Sequence, residues 1–279
     1  MLKKLFAFVL AAVALVACNS QKKAEESAET AEPKVLVLYY SQTGATKTVA
    51  EEIQKQLGAD IEAIEVAEPY DGDFNQTIER CQKEMADGVT PELTPIKSNI
   101  DDYDIIFLGY PVWFGTYAQP IASLVKTLTF EGKKVVPFCT FGSGGLNSST
   151  ENLKKALPKA EILDGYGVRN ARIAAAAEEV TRFLIEHEYK EGEIEALPAF
   201  MEQHPVSEEE TAIFNAACEG YPYPLGTPVT VAARTTSKST DYLYTVNSQS
   251  ADGAETTGTV CVTVSNEEGA KPEFTYVER

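Results

Sequence analysis

The chain has 279 residues, 44% of them hydrophobic, and its 24 basic and 42 acidic side chains give a formal net charge of −18. This length allows one large or two ordinary domains with a substantial core. The excess of acidic side chains argues against nucleic acid and anionic lipid surfaces as partners, so we expect no nucleic-acid binding.

The N-terminal residues predict an exported lipoprotein. Lys3 and Lys4 precede an apolar stretch, residues 5–16, which is too short to span a bilayer as a mature helix. The following Leu-Val-Ala-Cys sequence, residues 15–18, resembles a bacterial lipobox, which implies cleavage before Cys18 and a lipid on its sulfur. The alternative is an ordinary secretory signal in residues 1–18.

The lipobox resemblance also implies a location in the cell envelope. Asn19 follows the cysteine, and it is not the aspartate associated with retention in the inner membrane. We therefore expect a lipid anchor at the outer membrane, on its periplasmic or surface face. Residues 19–33 contain almost no large apolar side chain, so they predict a flexible tether.

The remaining cysteines do not predict a metal site. Cys81, Cys139, Cys218 and Cys261 form no CxxC pair, and the chain has two histidines, so a zinc or iron–sulfur centre is not expected. An exported protein can form disulfides, and Cys218 and Cys261 are candidates for one. Two buried free thiols explain the same residues equally well.

Residues 35–57 predict a strand, a loop and a helix that form an anion site. The strand at 35–40 is apolar throughout, which suits the middle of a parallel sheet. The loop at 41–46 is rich in hydroxyls and contains a glycine, and the helix after it places Val49 and Ile53 on one face. Free amides and the dipole at a helix N-terminus favour an anion there. The alternative is an ordinary turn in which Thr43 caps the helix.

The chain then continues to alternate between strands and helices as far as residue 187. Further strands are predicted at 61–66, 104–109, 134–140 and 161–163, and further helices at 74–85, 120–128, 147–157 and 174–187. Five strands that alternate with helices predict a parallel sheet with right-handed crossovers. Ligands of such sheets bind beyond the carboxyl ends of the strands.

Two more loops at this edge carry unusual residues. The loop at 110–117 is aromatic and contains Trp113, the only tryptophan, which we expect either to stack on a planar ring or to plug the top of the core. The loop at 140–145 contains three glycines, where a helix cap needs only one. We interpret them as a place where a flat ligand approaches the backbone.

Residues 34–190 resemble a flavodoxin domain through these three loops. Ser41-Gln42-Thr43-Gly44-Ala45-Thr46 is similar to the loop that binds the FMN phosphate, and Tyr110-Pro111-Val112-Trp113-Phe114-Gly115 is similar to a YPIWWG-like segment. The resemblance implies noncovalent FMN and a doubly wound, five-stranded parallel sheet of order 2-1-3-4-5, an α/β fold. The residues implied for FMN binding are Ser41, Gln42, Thr43, Gly44, Ala45, Thr46, Pro111, Val112, Trp113, Phe114, Gly115, Thr140, Phe141, Gly142, Ser143, Gly144 and Gly145.

The C-terminal residues predict a different, smaller fold. Residues 191–205 are charged and contain prolines, so they predict a linker, and Ser207 begins a helix with a capping-box pattern. Strand-like runs follow at 229–234, 242–247, 260–265 and 274–277, separated by turn residues. Residues 206–279 therefore predict an α+β module, which resembles cystatin-like modules in outline. We expect it to serve in packing or in docking a partner, and it has no recognisable catalytic residues.

Together these features predict a lipid-anchored FMN protein that transfers electrons. It would act as a flavodoxin-type carrier for a redox partner protein, or as a reductase that passes electrons from NAD(P)H to a small quinone-like acceptor. The chemistry would belong to the flavin, and no catalytic side chains are predicted. The alternative is a nonenzymatic periplasmic or surface binding lipoprotein with a vestigial flavin site.

Overall fold

The first sheet has a parallel core, with the strand at Ile105–Trp113 in the middle. The structure is a computed structural model that describes residues 33–249 and 253–278. The strands of this region are β1 (Val35–Tyr39), β2 (Asp60–Ala63), β3 (Ile105–Trp113), β4 (Thr116–Tyr117), β5 (Lys134–Phe141), β6 (Glu161–Ile162) and β7 (Tyr166–Arg169). The order is β2-β1-β3-β5, followed by β6 and β7, which both pair with β5. With β6 and β7 as two pieces of the fifth strand, the predicted order 2-1-3-4-5 is confirmed.

The fifth strand is split at a proline in its neighbour. β6 pairs with the start of β5, and β7 pairs with Phe138–Phe141 at its end. Pro137 lies between these segments and has no N–H to donate, so the ladder is interrupted there. The prediction of a single strand at 161–163 therefore missed β7.

Helices cover both faces of this sheet. They are α1 (Ala45–Leu57), α2 (Phe74–Asp87), α3 (Gln119–Thr127), α4 (Leu146–Ala156) and α5 (Ala176–Glu186). α1 and α5 contribute Ile53 and Leu184 to one buried cluster, whereas α2, α3 and α4 contribute Cys81, Leu124 and Leu153 to the other. α5 begins two residues later than predicted because the preceding turn is a 3-10 helix that is kinked at Arg172.

The C-terminal region forms a second, antiparallel sheet with one helix. The sheet consists of β8 (His204–Pro205), β9 (Thr227–Thr235), β10 (Ser239–Gln249), β11 (Glu255–Ser265) and β12 (Glu273–Glu278), in the order β12-β11-β10-β9-β8. Helix α6 (Glu208–Cys218) begins after Ser207, and the predicted capping box with Glu210 is present. Phe214 of α6 packs on the sheet against Tyr244, so the predicted α+β arrangement is confirmed.

Both sheets belong to one compact unit, which begins at Pro33. The predicted signal segment, Cys18 and all but the last residue of the tether lie outside the described residues. Within them, Cys218 and Cys261 are free thiols, so the disulfide considered for this pair is not formed. No helix of the described chain has the length and apolar character needed to cross a membrane.

Candidate functional site

The three predicted loops line one cavity of about 1060 Å³ beyond the carboxyl edge of the parallel sheet. The predicted residues that line it are Gln42, Thr43, Thr46, Pro111, Val112, Trp113, Phe114, Gly115, Thr140, Phe141, Gly142, Ser143, Gly144 and Gly145. Ser41, Gly44 and Ala45 do not line it; they belong to the turn behind the lining residues. The volume lies slightly above the range of about 300–1,000 Å³ that is usual for small-molecule pockets.

The loop before α1 leaves helix amides without a partner. Gly44 is the N-cap of α1, with a positive φ of 95° and no side-chain cap, so the alternative in which Thr43 caps the helix is wrong. The Ser41 hydroxyl accepts hydrogen bonds from the amides of Gly44 and Lys47, both at 3.2 Å. No acceptor among the described residues pairs with the amides of Ala45 and Thr46. These amides are donors for an anion.

A hydrogen bond joins the first loop to the third. Thr46 Oγ1 lies 2.8 Å from Thr140 Oγ1, and both side chains are buried although both line the cavity. The contact holds the start of α1 against the end of β5. The two loops therefore form one continuous wall of the cavity.

The aromatic segment is a β-hairpin, where the sequence predicted a loop at 110–117. β3 continues to Trp113, and β4 turns back to pair with it after Phe114 and Gly115, which both have positive φ, 51° and 75°. Two positive φ values match the tight turns of two-residue hairpins. Such a φ strains a bulky residue such as Phe114. Ser148 holds the turn by donating its hydroxyl to the Gly115 carbonyl at 2.7 Å.

Trp113 is held by edge-to-face contacts on the side of the core. Its ring centroid lies 5.8 Å from that of Tyr40 and 5.2 Å from that of Tyr70, at interplanar angles of 86° and 72°. The half-buried ring packs against the core and also lines the cavity. The two interpretations of Trp113, as a core plug and as a stacking surface, thus describe two sides of the same residue.

Tyr70 is in turn fixed by charged groups of α2. Its hydroxyl donates to the Glu84 carboxylate at 2.6 Å, and Arg80 pairs with the same carboxylate at 2.9 Å while its guanidinium lies 3.8 Å from the Tyr70 ring centroid. Burial and the hydrogen bond to Glu84 raise the pKa of Tyr70, which keeps the phenol neutral. Sequence reasoning missed this support, although Arg80 and Glu84 have the i, i+4 spacing of a helical ion pair.

The three glycines of the third loop are required for different structural reasons. Gly145 is the N-cap of α4 with φ 112°, and a Cβ on Gly144 would lie 1.7 Å from the Val277 carbonyl oxygen. A Cβ on Gly142 would meet nothing within 4 Å. Contact with β12 thus explains Gly144, and the helix cap explains Gly145. The interpretation of all three glycines as room for a ligand is corrected: it applies to Gly142 alone.

Several lining residues come from parts of the chain to which the sequence assigned no site. Phe74 and Cys81 of α2 line the cavity, and Cys81 is buried, which raises the pKa of its thiol to about 11. The C-terminal module adds Tyr221, Tyr223, Pro224, Val277 and Glu278. The available sequence signal was the aromatic Tyr-Pro-Tyr-Pro run at 221–224, which precedes the strands of this module.

The donor set of the cavity suits a molecule with a phosphate at one end and a flat ring at the other. Free amides and the hydroxyls of Thr43 and Thr46 meet at the start of α1, and six aromatic side chains are among the other lining residues. Glu278 carries the only charge among the lining side chains of the described residues. A phosphate here would be held by neutral donors and the helix dipole.

These features define a cofactor-binding protein of the doubly wound α/β class. A family model described as Flavodoxin matches residues 34–184, which is more than half of the chain. The chain therefore belongs to the flavodoxin family.

Solved structures with similar sequences are also flavoproteins or candidates for that class. A candidate flavoprotein from Bacteroides eggerthii DSM 20697 is 32% identical over 54% of this chain and 99% of its own, with a TM-score of 0.46. A second, from Bacteroides uniformis ATCC 8492, is 25% identical over 53% and 98%, with a TM-score of 0.48. A flavoprotein in complex with FMN from Lactobacillus acidophilus NCFM is 23% identical over 54% and 98%, with a TM-score of 0.47. No curated protein matches the chain.

Proposed function

We propose that this protein is an FMN-dependent electron-transfer protein of the cell envelope. The observation that carries the proposal is the single cavity in which the free helix amides, the Trp113 hairpin and the glycine loop come together. Membership of the flavodoxin family supports FMN as the cofactor, and one similar flavoprotein is known in complex with FMN.

The phosphate of FMN belongs at the start of α1. The amides of Ala45 and Thr46 face no acceptor in the described residues, and the hydroxyls of Thr43 and Thr46 lie beside them in the loop. The positive end of the helix dipole adds to this attraction. No lysine or arginine among the described residues lines the cavity, so neutral donors replace a cation as the phosphate ligands.

The flat ring of FMN belongs beside Trp113. Tyr40 and Tyr70 hold the indole from behind, so little rotational freedom of Trp113 is lost when a ring packs on it. FMN supplies the electron chemistry when it is bound, because its ring accepts and releases electrons. The protein's own residues hold the ring, exclude water from one side of it and keep the nearby phenols neutral.

The electron partner within this function is either a redox protein or a small quinone-like acceptor. In the second case, NAD(P)H is the reductant that supplies the electrons. The anchor is the lipid predicted on Cys18, at the outer membrane. If this is correct, Cys18→Ala moves the protein from the detergent-soluble membrane fraction to the aqueous fraction of cells. Retention of the variant in the membrane fraction would contradict the lipid anchor.

A flavin spectrum of the purified protein tests the proposal. We expect a yellow protein that releases FMN, identified by chromatography, when it is denatured. We also expect the bound flavin to be bleached by a chemical reductant and to recover in air. A protein that stays colourless after incubation with FMN would contradict the proposal and favour the nonenzymatic binding lipoprotein.

A further inference from the structure

The cavity has a second wall that the flavodoxin loops do not supply. Tyr221, Tyr223 and Pro224, between α6 and β9, line it together with Val277 and Glu278 of β12. All five residues belong to the C-terminal module. This module therefore contributes directly to the proposed cofactor site, in addition to any separate docking role.

Hydrogen bonds fix this wall to the third loop. The Val277 amide donates to the Ser143 carbonyl at 2.9 Å, and the Gly145 amide donates to the Glu278 carboxylate at 3.3 Å. Arg169 of β7 bridges the two parts, because its side chain donates to the Gly142 carbonyl at 2.8 Å and to the Phe274 carbonyl at 2.7 Å. The position of β12 against the loop is thus set by the protein before any ligand binds.

The aromatic residues of the wall are supported from the C-terminal core. The ring centroid of buried Phe274 lies 5.0 Å from that of Tyr221, which lies 5.9 Å from that of Tyr223, both in edge-to-face geometry. The Arg169 guanidinium lies 4.1 Å from the Phe274 ring centroid and 5.4 Å from that of Tyr221. Tyr223 is therefore the exposed end of a supported row of rings, in the same way as Trp113 is supported by Tyr40 and Tyr70.

Exposed aromatic rings converge on this cavity. Among the large apolar side chains that the described residues expose, three are aromatic: Phe74 at 73%, Phe114 at 50% and Tyr223 at 63%. They come from α2, the β3–β4 hairpin and the C-terminal module, and all three line the cavity. Aromatic side chains gain most of their stabilisation by burial against other apolar surface, so three exposed rings in one cavity indicate a ligand that covers them.

We propose that the FMN-loaded protein binds a second molecule, a planar and uncharged aromatic compound, against Tyr223 and its neighbours at the mouth of this cavity. The proposal rests on FMN binding as the proposed function and adds the class of small molecule that the site takes. The aromatic rings select a flat apolar ligand. The Glu278 carboxylate, which is the one charged group of the described lining, disfavours an anionic one.

Calorimetric titration of the FMN-loaded full chain tests the proposal. The two ligands are 2-naphthol, which is neutral at pH 7, and naphthalene-2-sulfonate, which is an anion of similar shape. We expect wild-type protein to bind 2-naphthol, and Tyr223→Ala to weaken this binding about tenfold, as expected for an aromatic contact worth about 1.4 kcal/mol. The matched control is Val229→Ala in the same module, because Val229 is 42% exposed but does not line the cavity. It should bind 2-naphthol as wild type does.

A second variant tests the role of charge. Glu278→Gln keeps an oxygen that can accept the Gly145 hydrogen bond, but it removes the negative charge. At low salt we expect the ratio of naphthalene-2-sulfonate affinity to 2-naphthol affinity to rise about fivefold in this variant. An unchanged ratio would overturn the charge selection.

The outcomes separate the inference from the function on which it rests. If the protein binds FMN but not 2-naphthol, or if Tyr223→Ala and Val229→Ala bind it equally well, the aromatic subsite is wrong and the FMN assignment stands. If FMN itself does not bind, the proposed function and the subsite both fail. Circular dichroism of each variant shows that a loss of binding is not a loss of folding.

Discussion

The two ends of the cavity differ in the sequence separation between the residues that form their hydrogen bonds. At the phosphate end, the Ser41 hydroxyl accepts from Gly44 and Lys47, three and six residues away. At the C-terminal wall, the Gly145 amide donates to Glu278, 133 residues away, and Arg169 reaches the Phe274 carbonyl across 105 residues. The turn at the first end is fixed by local contacts, and the Thr46–Thr140 hydrogen bond then ties it to β5 across 94 residues. The second end depends throughout on the packing of two folded regions.

The two ends also differ in what they leave unpaired. The helix start of α1 keeps the amides of Ala45 and Thr46 free of acceptors in the described chain, which suits a bound anion. In the third loop, by contrast, the carbonyls of Gly142 and Ser143 are already paired with Arg169 and Val277. The comparison therefore assigns anion binding to the first end and structural closure to the backbone of the third loop at the second. Substitutions can test the two assignments separately.

The largest effect is expected for Gly144→Ala. The added Cβ would lie 1.7 Å from the Val277 carbonyl oxygen, so β12 would have to move away from the third loop. We expect the free energy of unfolding, measured with urea, to fall by about 3 kcal/mol, the upper part of the usual range for overpacking.

Gly142→Ala is the matched control for this substitution. Its Cβ would meet nothing within 4 Å and would point into open space, so we expect stability to change by less than about 0.5 kcal/mol. An equal loss of stability in both variants would show that the close approach of β12 is not the reason why position 144 requires a glycine.

Trp113→Ala tests ligand binding at the hairpin, which lies outside both of the compared ends. The substitution removes the ring that Tyr40 and Tyr70 hold at the cavity, so we expect FMN affinity to fall about 30-fold, which corresponds to about 2 kcal/mol for a buried aromatic anchor. Titration of the apoprotein with FMN, followed by quenching of flavin fluorescence, measures the change. Trp113→Phe keeps a flat ring and should lose much less affinity; equal losses would argue against stacking.

A smaller effect is expected for Thr46→Val in the apoprotein. The variant keeps the shape of the side chain but leaves the buried Thr140 hydroxyl without its partner at 2.8 Å. Loss of such a bond costs about 1–2 kcal/mol in the free energy of unfolding. Thr48→Val, which removes an exposed hydrogen bond to Gly44, serves as the control and should cost less. The reverse order would show that the bond between the two loops does not hold the wall together.

A further prediction concerns the reactivity of Cys81, which no substitution is needed to test. Burial raises the pKa of this thiol to about 11, so at pH 8 about one thiol in a thousand is the reactive thiolate. We expect iodoacetamide to label Cys81 more than about 100 times more slowly than an ordinary thiol of pKa about 8.5, with a rate that rises about tenfold per pH unit up to about pH 11. Peptide mass analysis measures the labelling at this site. A labelling rate that levels off near pH 8.5 would contradict the raised pKa.

The sequence predicted the parts of the fold that depend on local pattern. The apolar run of β1, the helix periodicity of α1 and the Ser207 capping box appear in the structure close to where they were predicted. The strand order was implied by the resemblance of the three loops to those of a flavodoxin domain. The strand, the helix and the capping box can be predicted from the sequence because each depends on residues a few positions away.

The remaining features depend on distant contacts, which the sequence does not reveal. β7 was missed because the break at Pro137 belongs to another strand, and the turn at Phe114 has a φ that its residue type disfavours. Gly144 was misinterpreted because the group that crowds it, the Val277 carbonyl, comes from 133 residues further on. The C-terminal wall was missed for the same reason.

A crystal structure of the full chain with FMN tests the central claim most directly. We expect the phosphate at the amides of Ala45 and Thr46, and the flavin ring in contact with Trp113 within the cavity that β12 closes. Density for FMN anywhere else, or a Trp113 side chain that fills the cavity so that no ring can enter, would contradict the account.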